Sequence, residues 1–306
     1  MLYKTVIITG ASKGYGRAVA KAFAKFIDGN LHFVLSGRDQ MELDSLEKEI
    51  HTIRTNKQHQ TSCKIVVADI SNNFELEDVA EGLFSQKFIT SESVTFINNA
   101  GSLGPLSRVG SEYYTASEVS NVINLNITGC LYLTSEFVKR FVGYSIISAC
   151  TINTLTFVVY YIFRMEAHDM ASRPVAAVVN VSSLVAQVPA PAMSLYCAGK
   201  AARDMFHLVL AEEQRAKWKD SSAEASKEIR VLNYAPGPMD TSMQGIIRQA
   251  EAADHSLGTA YTDMKERGLL VDVDASAEKL WKILTTPGVF QSGAHVDYFD
   301  KIDGLS

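Results

Sequence analysis

Near the start of the chain a short β-branched run, Thr5 to Thr9, passes directly into Thr9-Gly10-Ala11-Ser12-Lys13-Gly14-Tyr15-Gly16-Arg17, and a helical pattern follows at once. Glycines placed this way let the chain turn tightly and let backbone N–H groups approach a pyrophosphate at a helix N-terminus, where the peptide dipole favours anions. A glycine-rich stretch alone is only a turn; between a strand and a helix, at the head of a βαβ chain, it reads as a dinucleotide loop. Gly10, Ser12, Lys13, Gly14, Tyr15 and Gly16 are thus candidate cofactor-binding residues.

The pattern that starts here continues. Apolar runs alternate with amphipathic stretches: Thr5–Thr9 then Gly16–Phe26, Leu31–Leu35 then Met41–Ile53, Lys64–Ala68 then Leu76–Phe84. Val94–Ile97, a long helical stretch over Asn121–Phe141, Val175–Val181, Tyr196–Glu213 and Arg230–Tyr234 follow. Such alternation predicts an α/β fold, a Rossmann-like doubly wound parallel sheet with helices on both faces. No repeat and no Pro- or Gly/Ser-rich linker divides the 306 residues, so one domain over 1–306 is expected. With 47% hydrophobic and 21% charged residues the chain can bury a core, which excludes disorder and collagen-like architectures.

Twenty-nine Lys and Arg against 34 Asp and Glu leave a net charge of −5, so no general attraction for nucleic acid or anionic membranes is expected. Cys63, Cys130, Cys150 and Cys197 are scattered without CxxC or Cys/His pairing, which argues against a disulfide framework or a metal site and for a reducing compartment. The N-terminal residues lack the pattern of a secretory leader, and a cytosolic location is the expectation.

Two stretches break the rhythm. Gln214–Glu228 is charged and reads as a solvated helix extension. Val142–Phe163 is almost uncharged and close to the length of a bilayer-crossing helix. It lies between elements of one parallel sheet, however, and a single crossing would put the two halves on opposite sides of a membrane. An inserted hairpin, a partner-facing patch and translated intervening sequence are the readings left for it.

At the end of the second strand, an NAD binder usually offers a carboxylate to the ribose roughly 20 residues past the glycines. Here the strand ends Leu35-Ser36-Gly37-Arg38-Asp39. Arg38, with Lys13, can bind a 2′-phosphate, which favours NADPH; Asp39 can pair with Arg38 or accept from a ribose. Asp69-Ile70 is placed for an adenine, with an N-cap near Ser71 as the plainer role. Asn98-Asn99-Ala100-Gly101 suits a loop pressed against a cofactor, and equally a turn.

Tyr196-Cys197-Ala198-Gly199-Lys200 opens a helix, and the four-residue offset stacks Lys200 one turn along from Tyr196. An ammonium beside a phenol is expected to lower the phenol pKa from about 10 and make it a usable general acid. Ser182-Ser183, at a strand end thirteen residues before Tyr196, supplies hydroxyls that can hold a carbonyl.

Glycine loop, NNAG, Asn126, Ser183, Tyr196 and Lys200 together, in this order, resemble the short-chain dehydrogenase/reductase family over Thr5–Phe141 and Pro174–Asp300. The resemblance implies that Tyr196 donates a proton, Ser183 orients a carbonyl, Lys200 also holds the nicotinamide ribose, and Asn126 supports a water relay. It implies a homodimer as well. On Asn98–Gly104, Tyr196–Met205, Val231–Thr241 and Ser292–Asp297 it narrows to members that reduce pterin side-chain carbonyls with NADPH, the closing step of tetrahydrobiopterin formation. It then implies that Asp297 anchors the pterin, Gly237 lines the substrate pocket, and Met239, Asp240, Thr241, Ser242, Met243 and Gln244 cover the cofactor. A carboxylate can accept two N–H bonds from a 2-amino pyrimidinone edge, as from a guanidinium. The alternatives are a broader reductase of diketones or quinones, and a cofactor-bound scaffold without activity.

Overall fold

The computed structural model describes residues 3–85, 91–106, 115–143, 175–218, 229–249 and 255–305. Most of the Val142–Phe163 stretch, Cys150 and residues 219–228 of the charged Gln214–Glu228 segment lie outside them.

Among the described residues seven parallel strands form one sheet: β1 (Tyr3–Thr9), β2 (Asn30–Gly37), β3 (Thr61–Val67), β4 (Ser91–Asn98), β5 (Val175–Val181), β6 (Arg230–Ala235) and β7 (His295–Asp297). Their spatial order is β3-β2-β1-β4-β5-β6-β7. The doubly wound sheet expected from the sequence is therefore present, with β7 added at one edge. The chain winds outward from β1 and from β4 in opposite directions, and that reversal opens a crevice at the carboxyl ends of these two neighbours.

Side-chain alternation splits the core into two layers. Val6 and Ile8 of β1 face one side with Leu31, Phe33 and Leu35 of β2. Over them lie α1 (Gly14–Phe26), α2 (Gln40–Arg54) and α9 (Val273–Thr285), with the rings of Phe26 and Trp281 stacked at 4.9 Å. Ile7 and Val34 face the other side, packed with α3 (Leu76–Leu83) and α5 (Cys130–Val138). There Phe84 meets Phe96 and Phe137 edge to face at 5.2 and 5.7 Å. Period-2 burial on both faces is why the strands read as continuous apolar runs.

The long helix expected over Asn121–Phe141 is composite: α4 (Ala116–Ile123), a π-helical turn at Asn124–Gly129, α5, and a second π turn at Lys139–Gly143. The remaining α-helices among the described residues are α6 (Ser194–Trp218), α7 (Ser242–Gln249) and α8 (His255–Glu266). Helix α6 carries the first part of the charged segment as the expected extension. No helix among the described residues is long and apolar enough to cross a membrane.

Arg54, 3% exposed at the end of α2, closes the C-terminus of α1. Its Nη1 donates to the carbonyls of Ala24 and Ile27 at 3.2 and 2.8 Å, and Nη2 to Gly29 at 2.6 Å, so acceptors that the helix end leaves open are satisfied. Replacing Arg54 with Met leaves the Ala24 and Gly29 carbonyls without their side-chain donor, while Ile27 keeps Lys57 Nζ at 2.8 Å, and a loss of about 2 kcal/mol is expected in urea unfolding followed by circular dichroism. A loss below about 1 kcal/mol would show that water reaches them.

Candidate active site

The crevice is a cavity of about 970 Å³ running from the glycine loop to the start of α6. Its floor is stitched at the ends of β1 and β4. Thr9 Oγ1 accepts from the N–H groups of Asn99 and Ala100, both at 3.1 Å, and Asn99 Nδ2 donates to the carbonyls of Thr9 and Gly10, both at 3.0 Å. Gly10 and Gly14 adopt φ values of +64° and +56°, where L side chains are strained. Gly16 serves close packing: a Cβ there would sit 2.3 Å from the Gly10 carbonyl oxygen. Lys13, at the N-cap of α1, makes no side-chain cap bond, so the first amides of the helix stay open to the cavity.

At the far end of the loop, Arg38 is 72% exposed and its Nη1 lies 3.7 Å from Asp69. Asp39 caps α2, accepting from Glu42 N–H at 3.2 Å. Its carboxylate is thus taken up by a helix end, and Arg38 has Asp69 as its partner instead. Asp69 also accepts from the Ser71 N–H at 3.0 Å and hydroxyl at 2.7 Å, which makes a local turn and not the expected helix N-cap near Ser71, since α3 is capped at Glu75. Ile70, Ala100 and Gly101 line the cavity.

At the other end stand Ser183, Tyr196 and Lys200, with Gly237 and Asp297 also in the lining. Ser183 follows β5 and accepts from the Val185 N–H at 3.5 Å; Tyr196 and Lys200 lie on the first turns of α6. The approach to α6 carries Ala192 at φ +61°, the single non-glycine residue with positive φ among the described residues. Asp297 Oδ1 accepts from the Phe299 N–H at 2.9 Å, which orients the carboxylate at the end of β7.

The electrostatics differ from the expectation of an ammonium acidifying the phenol. Tyr196 is pushed up to about 12, burial being the largest cause; the Arg203 charge and a hydrogen bond from Ser183 pull the other way. Lys200 Nζ donates to the Val181 carbonyl at 2.6 Å and sits 5.5 Å from the Tyr196 ring centroid. Burial, then the Arg203 charge, press the Lys200 ammonium well below its ordinary pKa.

Three expected site residues fall elsewhere. Asn126, 2% exposed, is on the π turn and not in the cavity lining; its Nδ2 donates to the Ser102 carbonyl at 2.7 Å and its Oδ1 accepts from the Ser102 N–H at 2.9 Å. Gly16 lies beneath the loop. Asp240 turns away to Arg248 at 3.1 Å and Lys265 at 2.9 Å, while Met239, Thr241, Ser242, Met243 and Gln244 do line the cavity. Sequence reasoning missed the apolar wall made by Leu103, Met193, Ile247, Tyr261, Met264 and Phe299. Tyr261 and Met264 share a face of α8 at helical spacing, but periodicity shows a buried face without showing what it faces. It also missed that Glu47, His51 and Cys63 bring three possible ligand atoms within 4.8 Å; burial and Glu47 push the Cys63 thiol up to about 12.

The short chain dehydrogenase family model matches residues 4–158 and 148–252. The chain belongs to the short-chain dehydrogenase/reductase family and is an oxidoreductase acting on the CH–OH/C=O pair. It is 32% identical to sepiapterin reductase of Bos taurus, covering 96% of this chain and 94% of that one. It is 28% identical to benzil reductase ((S)-benzoin forming) of Bacillus subtilis (strain 168), covering 91% and 92%. A 3-ketoacyl-(acyl-carrier-protein) reductase of Brucella melitensis, solved in complex with NADH, shares the fold with a TM-score of 0.64 at 23% identity, covering 96% of both chains.

Behind Tyr196, burial pushes His207 down to about 4. It is neutral at pH 7, with Nδ1 2.8 Å from the Arg203 carbonyl and Nε2 3.1 Å from Thr134 Oγ1. Unfolded histidine binds its proton near pH 6.5 and the folded one does not, so this contribution is complete above 6.5 and is lost as pH falls toward 4. Of the acid loss of stability in that window, about 3 kcal/mol is expected to disappear in His207→Gln, measured by urea unfolding at each pH. Parallel pH profiles for the two proteins would sink the assignment.

Proposed function

We propose that this protein reduces the side-chain ketone of a pterin with NADPH, and so closes tetrahydrobiopterin formation. One observation carries the reading: a single cavity joins the glycine loop and Arg38 at one end to Ser183, Tyr196 and Asp297 at the other. The sepiapterin reductase relative supports the substrate, and family membership supports a nicotinamide dinucleotide.

The residues fit that cofactor. Gly14 and Tyr15, at the uncapped start of α1, line the cavity, and the buried Gln244 amide and Ser182 hydroxyl in the lining have no hydrogen-bond partner within the protein, as expected of groups that a polar ligand satisfies. Arg38 at the rim, with Lys13, would hold a 2′-phosphate, since Asp39 is occupied at the α2 cap. When bound, the reduced nicotinamide supplies a hydride to the substrate carbonyl carbon.

The protein's own groups do the rest. Ser183 steadies the carbonyl oxygen as negative charge grows on it. Tyr196, protonated throughout the neutral range, hands its Oη proton to that oxygen. Lys200 is held by Val181 to reach the ribose, Asp297 accepts from the pterin N–H edge, and Gly237 leaves room for the ring. Asn126 takes a structural part in this reading, fastening the Ser102 loop. The exposed apolar row Met205, Leu208 and Val209 on α6 supports a homodimer. A diketone reductase is the second reading, favoured by the apolar wall and by the benzil reductase relative.

NADPH oxidation with sepiapterin and with benzil separates the two. Tyr196→Phe is expected to lower kcat about 100- to 10,000-fold on both. Asp297→Ala is expected to cut kcat/KM about 10- to 100-fold for sepiapterin while leaving benzil within about 3-fold. Equal loss on both, or none, would move the assignment to the diketone reading. Arg38→Ala is expected to weaken NADPH binding about 10-fold and leave NADH binding unchanged, by fluorescence titration; equal weakening of both would remove the 2′-phosphate role.

A further inference from the structure

Away from the cavity, three groups that bind metals meet where α2 crosses β3, the strand at one edge of the sheet. On α2, Leu43, Leu46 and Ile50 form the buried stripe, and Glu47 and His51, each one residue later, stand on its flank. Cys63 pairs in register with Phe33 of β2 and packs against the apolar layer beneath that helix. A Glu47 carboxylate oxygen, a His51 ring nitrogen and the Cys63 sulfur all lie within 4.8 Å of one another. His51 Nε2 is 3.9 Å from Glu47 Oε1, and the two side chains are 49% and 35% exposed, so the trio is open to solvent at the sheet edge. None of the three lines the cavity. Among the described residues no other ion pair or hydrogen bond engages these three side chains.

A Glu–His pair at helical spacing is by itself an ordinary surface pairing, and a half-buried cysteine is by itself a small apolar residue. The juxtaposition goes further, because the third ligand atom comes from a different element and completes a set of one oxygen, one nitrogen and one sulfur. In a tetrahedral site with bonds of about 2.0–2.3 Å, ligand atoms stand about 3.3–3.8 Å apart, so closing this trio onto an ion takes movements of about 1 Å. Thiolate and imidazole ligands suit zinc, whereas magnesium and calcium take oxygen. A carboxylate and a thiolate together balance a divalent charge, and three protein ligands leave a fourth position for water. No short Cys/His motif announces such a site, since its ligands are divided between a helix and a strand.

We propose that Glu47, His51 and Cys63 form a binding site for a zinc-type divalent cation, which ties α2 to the edge strand β3 outside the active site. Binding breaks the Cys63 S–H bond, forms a metal–sulfur bond and releases the proton to water, with no change of oxidation state. Burial and the Glu47 charge hold that proton on the thiol in the free protein, a cost that the metal–ligand bonds must exceed. The two elements so joined also lead to the adenosine end of the cavity: Arg38 and Asp39 precede α2, and Asp69 follows β3. The site does not depend on the reductase reading.

The test uses the full, untagged chain, stripped of metal with a chelator under reducing conditions and titrated with Co²⁺ as a spectroscopic probe, then with Zn²⁺. Expected are about one Co²⁺ per chain, a sulfur-to-cobalt charge-transfer band in the near ultraviolet, visible bands of four-coordinate intensity, and loss of all of these when Zn²⁺ displaces the probe. Cys63→Ser is expected to abolish the charge-transfer band. His51→Gln and Glu47→Gln are each expected to weaken Zn²⁺ binding at least about 10-fold, since even the outer partners of metal ligands are worth that much. Zn²⁺ is expected to raise the thermal midpoint of the wild type and to leave that of His51→Gln in place. The two α2 variants change solvent-accessible side chains, so they decide the matter if circular dichroism shows Cys63→Ser to be unfolded. A wild type without the charge-transfer band, a band that persists in folded Cys63→Ser, or Zn²⁺ affinity unchanged in both α2 variants would overturn the site; so would displacement of the probe by Mg²⁺ as readily as by Zn²⁺. Failure of the wild type to reduce sepiapterin would overturn the reductase reading alone, because the Co²⁺ titration reads this site without turnover.

Discussion

Two parallel strands, β1 and β4, lie side by side while the chain winds away from them in opposite directions, and the gap at their carboxyl ends cannot be filled by apolar packing without closing the site. It is held by polar contacts instead: the Thr9 hydroxyl accepts from two amides of the β4 loop, and the Asn99 amide returns two bonds to the β1 loop. These four bonds set the distance between the glycine loop and the Asn98–Gly101 loop. Gly16 then fits beneath Gly10 with no room for a Cβ, and Arg203 reaches the far side of the same loop from α6. Both ends of the cavity are referred to one rigid seam.

From that seam follows the electrostatic character of the site. Tyr196, Lys200 and Arg203 are all buried on adjoining turns of one helix, and burial alone disfavours the phenolate and the ammonium. A phenol held at about 12 keeps its proton at neutral pH, the state a proton donor requires. Arg203 Nε donates to Asn180 Oδ1 at 2.7 Å and one Nη to the Ala100 carbonyl at 2.9 Å. Neutral His207 and Thr134 continue the network behind it, down to Asn98 Nδ2, which donates to Thr134 Oγ1 at 3.1 Å. Polar groups so deep in a sheet protein are affordable only because each is hydrogen-bonded to the next.

Local sequence determined a great deal. The strand, glycine loop and helix around Gly10–Gly16 follow from chain stiffness and turn chemistry. The alternation of apolar runs and amphipathic stretches follows from the need to bury a parallel sheet on both faces. The Tyr196–Lys200 pair follows from helical periodicity, so the fold, the glycine-loop end of the cavity and this pair were legible from spacing, while Gly237, Asp297 and the Met239–Gln244 segment were expected only from the family resemblance. What spacing cannot carry is the choice among partners that tertiary contact brings together. Arg38 and Asp39 are adjacent in sequence, yet one pairs across to Asp69 and the other caps a helix. Asp240 lies between two lining residues but faces Arg248 and Lys265. Asn126 stands on a π turn that rotates it to Ser102, and Tyr261 reaches the cavity from a helix some 60 residues past Tyr196. Lys200 has the spacing to acidify Tyr196, but burial and the Val181 carbonyl decide where its amine goes. Period and turn are properties of a few neighbouring residues, whereas burial and charge compensation are set by everything the fold packs around them; the first the sequence determined by itself, and the second only the tertiary structure decided.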